Sequence, residues 1–175
     1  MNIVDTHVHA SRFCYAPVES LLYQMNVSRV ERAVLIQIEG GYDNSYFFEC
    51  ARRFPGRYAP VVIFEPMRDY AVQALKLLVD QGAAGIRLRV GARSPGADPL
   101  ALWRACNELK LPISCNGKES EFALDEFHKV VQTVPDAPVA PVVIEHLAFV
   151  DPDEPPPYEE FKKSADVIRI FQHLH

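Results

Sequence analysis

Val4-Asp5-Thr6-His7-Val8-His9 closes the first apolar run of the chain and carries two histidines one residue apart. In an extended strand, side chains at i and i+2 point to the same face. The spacing therefore predicts that Asp5, His7 and His9 project together. Two imidazoles on one face can grip a single metal ion, and neutral imidazole suits Zn, Fe, Mn or Ni. Residues 1–4 are too few for anything but an opening strand, so the pair falls where that strand ends. In parallel α/β proteins, ligands bind at the C-terminal strand ends. The plainer alternative is a strand with two polar side chains bonded to neighbours, because buried imidazoles need partners in any case. Asp5 reads either as a carboxylate orienting a ligand histidine or as a cap on local backbone.

Working outward from that stretch, apolar β-branched runs recur at residues 2–7, 32–38, 58–64, 84–89, 111–115 and 142–146, with a weaker one at 166–171. Their stride is about 25 to 30 residues, the size of a strand plus a returning helix. Short continuous apolar runs suit parallel strands buried on both faces. Helices are expected between them. Residues 18–26 have helical apolar spacing, and Asp43-Asn44-Ser45 offers N-caps before 46–53, which Pro55-Gly56 ends. Val72, Leu75, Leu78 and Val79 mark a helix that stops at Gly82. Asp98-Pro99 opens another through 109, with Pro at its first position, and 122–134 is stopped by Pro135. Residues 151–157 read as a stiff proline-rich loop. Alternating strands and helices predict an α/β fold, either a (β/α)8 barrel of TIM-barrel type or an open doubly wound sheet. No Gly-x-Gly-x-x-Gly follows the first strand, which weakens a dinucleotide-binding reading. A barrel usually needs about 250 residues, so a single partial domain over 1–175 is expected, with about seven strands and the eighth missing.

Composition narrows the function classes. The net charge of -5 and the lack of a basic stripe argue against a nucleic-acid partner. Apolar stretches reach only about eight residues, too short for a transmembrane span, so no membrane partner is expected. No signal peptide is evident at the N-terminus. Cys14, Cys50, Cys106 and Cys115 are scattered without a CxxC pair, which reads as reduced thiols of a cytoplasmic protein.

The Asp-x-His-x-His opening, Gly85-Ile86-Arg87-Leu88 and Val143-Ile144-Glu145-His146-Leu147, in that order and stride, resemble the amidohydrolase superfamily. More narrowly, they are similar to the group of sugar lactonases, 2-pyrone-4,6-dicarboxylate lactonase and aminocarboxymuconate-type decarboxylases. Asp43-Asn44-Ser45-Tyr46 and Pro155-Pro156-Pro157-Tyr158 fit the same group. The resemblance implies a divalent metal, zinc first, held by the strand-one histidines, by histidines of strands five and six, and by a strand-eight aspartate that serves as general base. Carried over, His7 and His9 match the first pair and His146 the strand-six ligand. Strand five reads Ile113-Ser114-Cys115-Asn116-Gly117 without a histidine, and the strand-eight aspartate has no counterpart. Some lactonases of this group work without metal, their histidines and an arginine polarising the carbonyl.

Further candidates carry alternatives of their own. His146 ends an apolar strand, as a ligand should, although a lone histidine there is often a satisfied core residue. Glu145 alternates to the opposite face and reads as an outer salt bridge or a helix contact. Arg87 and Arg89 lie at i and i+2; Arg87 suits a bidentate grip on a substrate carboxylate, with an internal ion pair to Asp5, Glu39 or Glu65 as the alternative. Asn116 suits a hydrogen bond to a substrate carbonyl, and Cys115 a buried thiol or soft ligand. His128 reads as a packing residue and His173 and His175 as a terminal pair. The expected function is a metal-dependent or metal-assisted hydrolase of a small carboxylated lactone or amide, with His146 and Arg87 catalytic. Competing readings are a non-oxidative decarboxylase, and an inactive truncated barrel that binds or homo-oligomerises through open strand edges.

Overall fold

A computed structural model of the chain describes residues 3–122 and 140–149. Parallel strands alternate with helices: β1 (Ile3–Val8), α1 (Val18–Val27), β2 (Val30–Ile36), α2 (Ser45–Arg53), β3 (Tyr58–Val62), α3 (Ala71–Asp80), β4 (Gly85–Arg89), α4 (Ala101–Glu108), β5 (Ile113–Asn116), the single turn α5 (Glu119–Phe122) and β6 (Val142–Ile144). A 3-10 turn over Glu145–Phe149 follows β6. The strand order is β1-β2-β3-β4-β5-β6. Sequential order in a parallel sheet, with a helix at each return, is what the 25-to-30-residue stride requires. The expected strand at 166–171, nearly all of the helix at 122–134, the proline-rich loop, His128, His173 and His175 lie outside the described residues. No helix among the described residues is long and apolar enough to cross a membrane.

The chain forms two compact units. The first comprises Met1–Glu65 and Gln73–Arg87, the second Pro66–Val72 and the described residues from Leu88 onward. In the first unit, Val18 and Met25 of α1 and Phe47 and Cys50 of α2 close over Ala33 and Leu35 of β2, with Ala10 and Tyr58 completing the cluster. Val18 and Leu35 are wholly buried, and full burial of such side chains stabilises by about 1.5–3 kcal/mol each. The first backbone N–H of α1 has no side-chain cap, because Pro17 precedes it; the Tyr46 hydroxyl of α2 accepts it at 2.9 Å instead. In the second unit, Leu102, Trp103 and Cys106 of α4 and Ile113 and Cys115 of β5 are buried.

Two helix starts differ from expectation for the same physical reason, side chains that cap a turn ahead of the helix. The Asp98 carboxylate accepts the Leu100 N–H at 3.1 Å. That local turn delays α4 to Ala101 and leaves Pro99 outside it. Before α2, Asp43 accepts the Ser45 N–H at 2.9 Å, and hydrogen bonds from Ser45 hold its carboxyl below the usual range. Asn44, another of the three cap candidates, turns away. Its amide donates to the Ile63 carbonyl at 2.9 Å and accepts the Ile63 N–H at 3.2 Å. One side chain thus supplies the paired donor and acceptor of a neighbouring strand and ties the start of α2 to the end of β3.

Candidate functional site

The first unit contains His7, His9 and Arg87. The β1–β2 ladder is irregular between Asp5 and Val8, so the strict alternation of the strand lapses where the histidines begin. Asp5 Oδ1 accepts the His7 N–H at 3.1 Å. Of the two readings of Asp5, the structure shows the local backbone cap. His7 and His9 nonetheless converge, their Nε2 atoms 3.3 Å apart and their ring planes perpendicular. His9 Nδ1 lies 2.6 Å from the Ile36 carbonyl oxygen at the end of β2. A carbonyl only accepts, so Nδ1 carries the proton and donates it. In the neutral ring Nε2 then carries the lone pair, and it faces His7 Nε2. Tyr15 flanks the His9 ring, centroid to centroid 5.0 Å, a contact that sequence spacing does not reveal.

Arg87 is buried on β4, and its Nη1 donates to the Gln37 carbonyl at 3.0 Å. Gln37 is buried too and is itself held, its side chain donating to the Asp43 carbonyl at 2.8 Å and accepting the Ile38 N–H at 3.0 Å. The guanidinium is therefore anchored just beyond β2, on a loop fixed by its own hydrogen bonds. Arg89, two residues on, is exposed.

The second unit places Asn116, Glu145 and His146. Of the two readings of Glu145, the outer salt bridge is overturned. β6 ends at Ile144, so the period-two alternation stops one residue before Glu145. The carboxylate is buried and accepts the Ser114 hydroxyl at 2.7 Å. His146 has a left-handed backbone, φ 52°, uncommon for a residue with a Cβ and frequent at functional sites. Its Nε2 lies 3.9 Å from Glu145 Oε2, and its side chain is 43% exposed, open to a ligand. Asn116 ends β5 half-buried, its carbonyl accepting the Val90 N–H at 2.9 Å. Among the described residues its side-chain amide makes no hydrogen bond. Gly117 follows where a Cβ would meet Val90 Cγ1 at 3.0 Å and Phe122 at 3.3 Å. Cys115 is wholly buried. Burial, and then the Glu145 charge, push its thiol well above the ordinary value, so the buried-thiol reading holds.

The residues present fit a divalent metal. Two nitrogens bonded at about 2.0–2.1 Å to a tetrahedral ion are about 3.3 Å apart, the separation of the two Nε2 atoms. The Ile36 carbonyl supplies the hydrogen bond that a ligand histidine ordinarily makes through its other nitrogen. Sequence reasoning missed the buried pairing of Ser114 with Glu145. The signal available was a polar residue inside each of two apolar strands, which buried pairing explains better than exposure.

The amidohydrolase family model matches residues 4–174. No curated protein matches the chain. Among solved structures, the chain is similar to a protein from Acinetobacter baumannii named as a probable 2-pyrone-4,6-dicarboxylic acid hydrolase, with citric acid bound, at TM-score 0.73 and 19% identity. That match covers 95% of this chain and 66% of the other, so this chain spans just under two thirds of that relative's length. A Pseudomonas putida protein given the same hydrolase name matches at TM-score 0.63 and 18% identity, over 98% of this chain and 78% of that one. An apo structure from Agrobacterium tumefaciens matches at TM-score 0.63 and 16% identity, over 97% and 65%. Identities this low speak for the fold, and the family match speaks for descent. The chain belongs to the amidohydrolase family, and its six described parallel strands belong to an α/β fold of the TIM-barrel type, incomplete in length against those relatives.

Proposed function

We propose that this chain is a metal-assisted hydrolase that opens a small carboxylated lactone, with His7, His9 and His146 as metal ligands. The observation that carries the reading is the His7–His9 pair, Nε2 to Nε2 at 3.3 Å, with His9 fixed in one tautomer by the Ile36 carbonyl. The family membership supports hydrolysis as the reaction class. The names of two structural neighbours suggest a pyrone carboxylate or a related lactone as substrate. When bound, a divalent ion polarises the scissile carbonyl and lowers the pKa of water.

The side chains of the site then have separate tasks. His9 keeps its Nδ1 proton on Ile36 and offers Nε2. Arg87, anchored through Nη1 on the Gln37 carbonyl, binds the substrate carboxylate and holds the lactone in a single orientation. Asn116 donates from its side-chain amide to the substrate carbonyl, and His146 combines a ligand role with catalysis.

Elemental analysis of the dialysed protein and a hydrolysis screen over γ-lactones and pyrone carboxylates test this. One divalent ion per chain and turnover abolished in His7→Ala and Arg87→Met are expected. Turnover without bound metal would instead favour the arrangement in which the His7 Nε2–H donates to His9 Nε2. Decarboxylation of a carboxylated substrate without ring opening would replace the hydrolase reading with the decarboxylase one.

A further inference from the structure

Within the first unit, a cleft of about 610 Å³ opens where α1 ends and β2 begins, lined by Asn26, Arg29, Glu31, Arg32 and Arg57 among others. Its volume falls in the range of small-molecule sites. Val30 opens β2, whereas Ile36, whose carbonyl holds His9, closes that strand. A strand of that length separates the cleft from the histidine pair by about 20 Å. Three arginines line the cleft against one glutamate, in a chain whose formal charge is -5. Cations gathered in a concave surface repel one another, and the field they focus there draws in an anion.

Arg57 is fixed from one end. Its Nη2 donates to Asn26 Oδ1 at 3.0 Å and to the Val30 carbonyl at 3.3 Å. Among the described residues its Nη1 makes no hydrogen bond, and its Nε is buried without one. A buried donor without an acceptor is costly and calls for an explanation. Arg29 and Arg32 are exposed, and among the described residues neither side chain has a hydrogen bond or an ion pair. Arg29 also takes the left-handed backbone, φ 58°, at a helix end where glycine is the usual occupant. The turn thus carries a long cationic side chain where the backbone asks only for a glycine. Three guanidiniums exceed what one planar carboxylate can engage, whereas a phosphate group brings up to two charges and three acceptor oxygens. We propose that this cleft binds the phosphate group of a small phosphorylated molecule, held by Arg29, Arg32 and Arg57. It is a second site, independent of the proposed hydrolysis.

Calorimetric titration of the full chain with inorganic phosphate, pyrophosphate and citrate tests this. Saturable binding of phosphate and of pyrophosphate is expected, with citrate weaker than either. Arg29→Asn, which keeps a residue tolerant of the left-handed backbone, and Arg32→Gln should each weaken binding about 10-fold, the loss expected for one charge-assisted hydrogen bond. Glu31→Gln, which removes the one carboxylate from the lining, should tighten it about 2- to 5-fold. All three positions are exposed, so these variants leave the core untouched. Binding must persist in Arg87→Met and His7→Ala, which alter the other ends of the strands. Its loss in either variant would place the anion there and overturn the proposal. No binding of pyrophosphate even at about 10 mM, or equal affinity in Arg29→Asn and Arg32→Gln, overturns it as well. Citrate binding as tightly as pyrophosphate overturns the assignment to phosphate.

Discussion

Cys106 and Cys115 are wholly buried thiols, and Cys14 is exposed. Burial pushes Cys106 up to about 12, against roughly 8.5 for a thiol in an unfolded chain. Between those values the unfolded chain releases a proton that the folded chain retains, so rising pH favours unfolding. The stability tied to this thiol is complete below about pH 8.5 and declines by up to about 1.4 kcal/mol per pH unit toward 12. Cys115 acts with the same sign, through burial first and the Glu145 charge second. We expect urea midpoints to fall steeply between pH 9 and 11 and the slope to be shallower in Cys106→Ala. An unchanged slope in that variant would show that the thiol does not titrate on unfolding. At this scale the sequence was legible where spacing alone brings side chains together. His7 and His9 meet as an i, i+2 pair should. Glu145 was misread because alternation was extended one residue past the end of β6, and where a strand stops depends on its neighbours, which spacing does not report.

At the scale of elements, the apolar runs placed all six described strands to within a few residues. Helix starts were less legible, since Asp43, Asn44 and Asp98 are equally good as caps, turn formers or bridges, and only the partner decides. Asn44 shows the third use. Its amide bonds twice to Ile63 just beyond β3, and truncation leaves a part-buried N–H and C=O unsatisfied. Asn44→Ala should lower the unfolding free energy by about 1–3 kcal/mol in urea titrations. Asn44→Asp, which retains only the acceptor, should fall between the two. A loss in Asn44→Ala no larger than at an exposed helix position would mean that water replaces both bonds.

For the whole molecule, the strand stride correctly implied a (β/α)8-type fold, and the resemblance correctly implied the family. The sequence could not show whether the outermost strand is covered. Among the described residues β1 has one neighbour in the strand order, and Ile3 and Val4 on it are 42% and 47% exposed. An edge strand with exposed apolar side chains is a template for pairing. We therefore expect concentration-dependent self-association in sedimentation experiments, and a shift toward monomer in Val4→Lys. Monomeric wild-type protein at every concentration would rule out this edge as a contact.

The partner of His9 Nδ1 is a main-chain oxygen, and that has an evolutionary corollary. Position 36 can drift among the amino acids a buried strand accepts without surrendering the acceptor, because every residue brings the same carbonyl. The orientation of the imidazole is inherited from the path of the backbone. A search among relatives for a companion side chain mutating in step with His9 should find none at position 36.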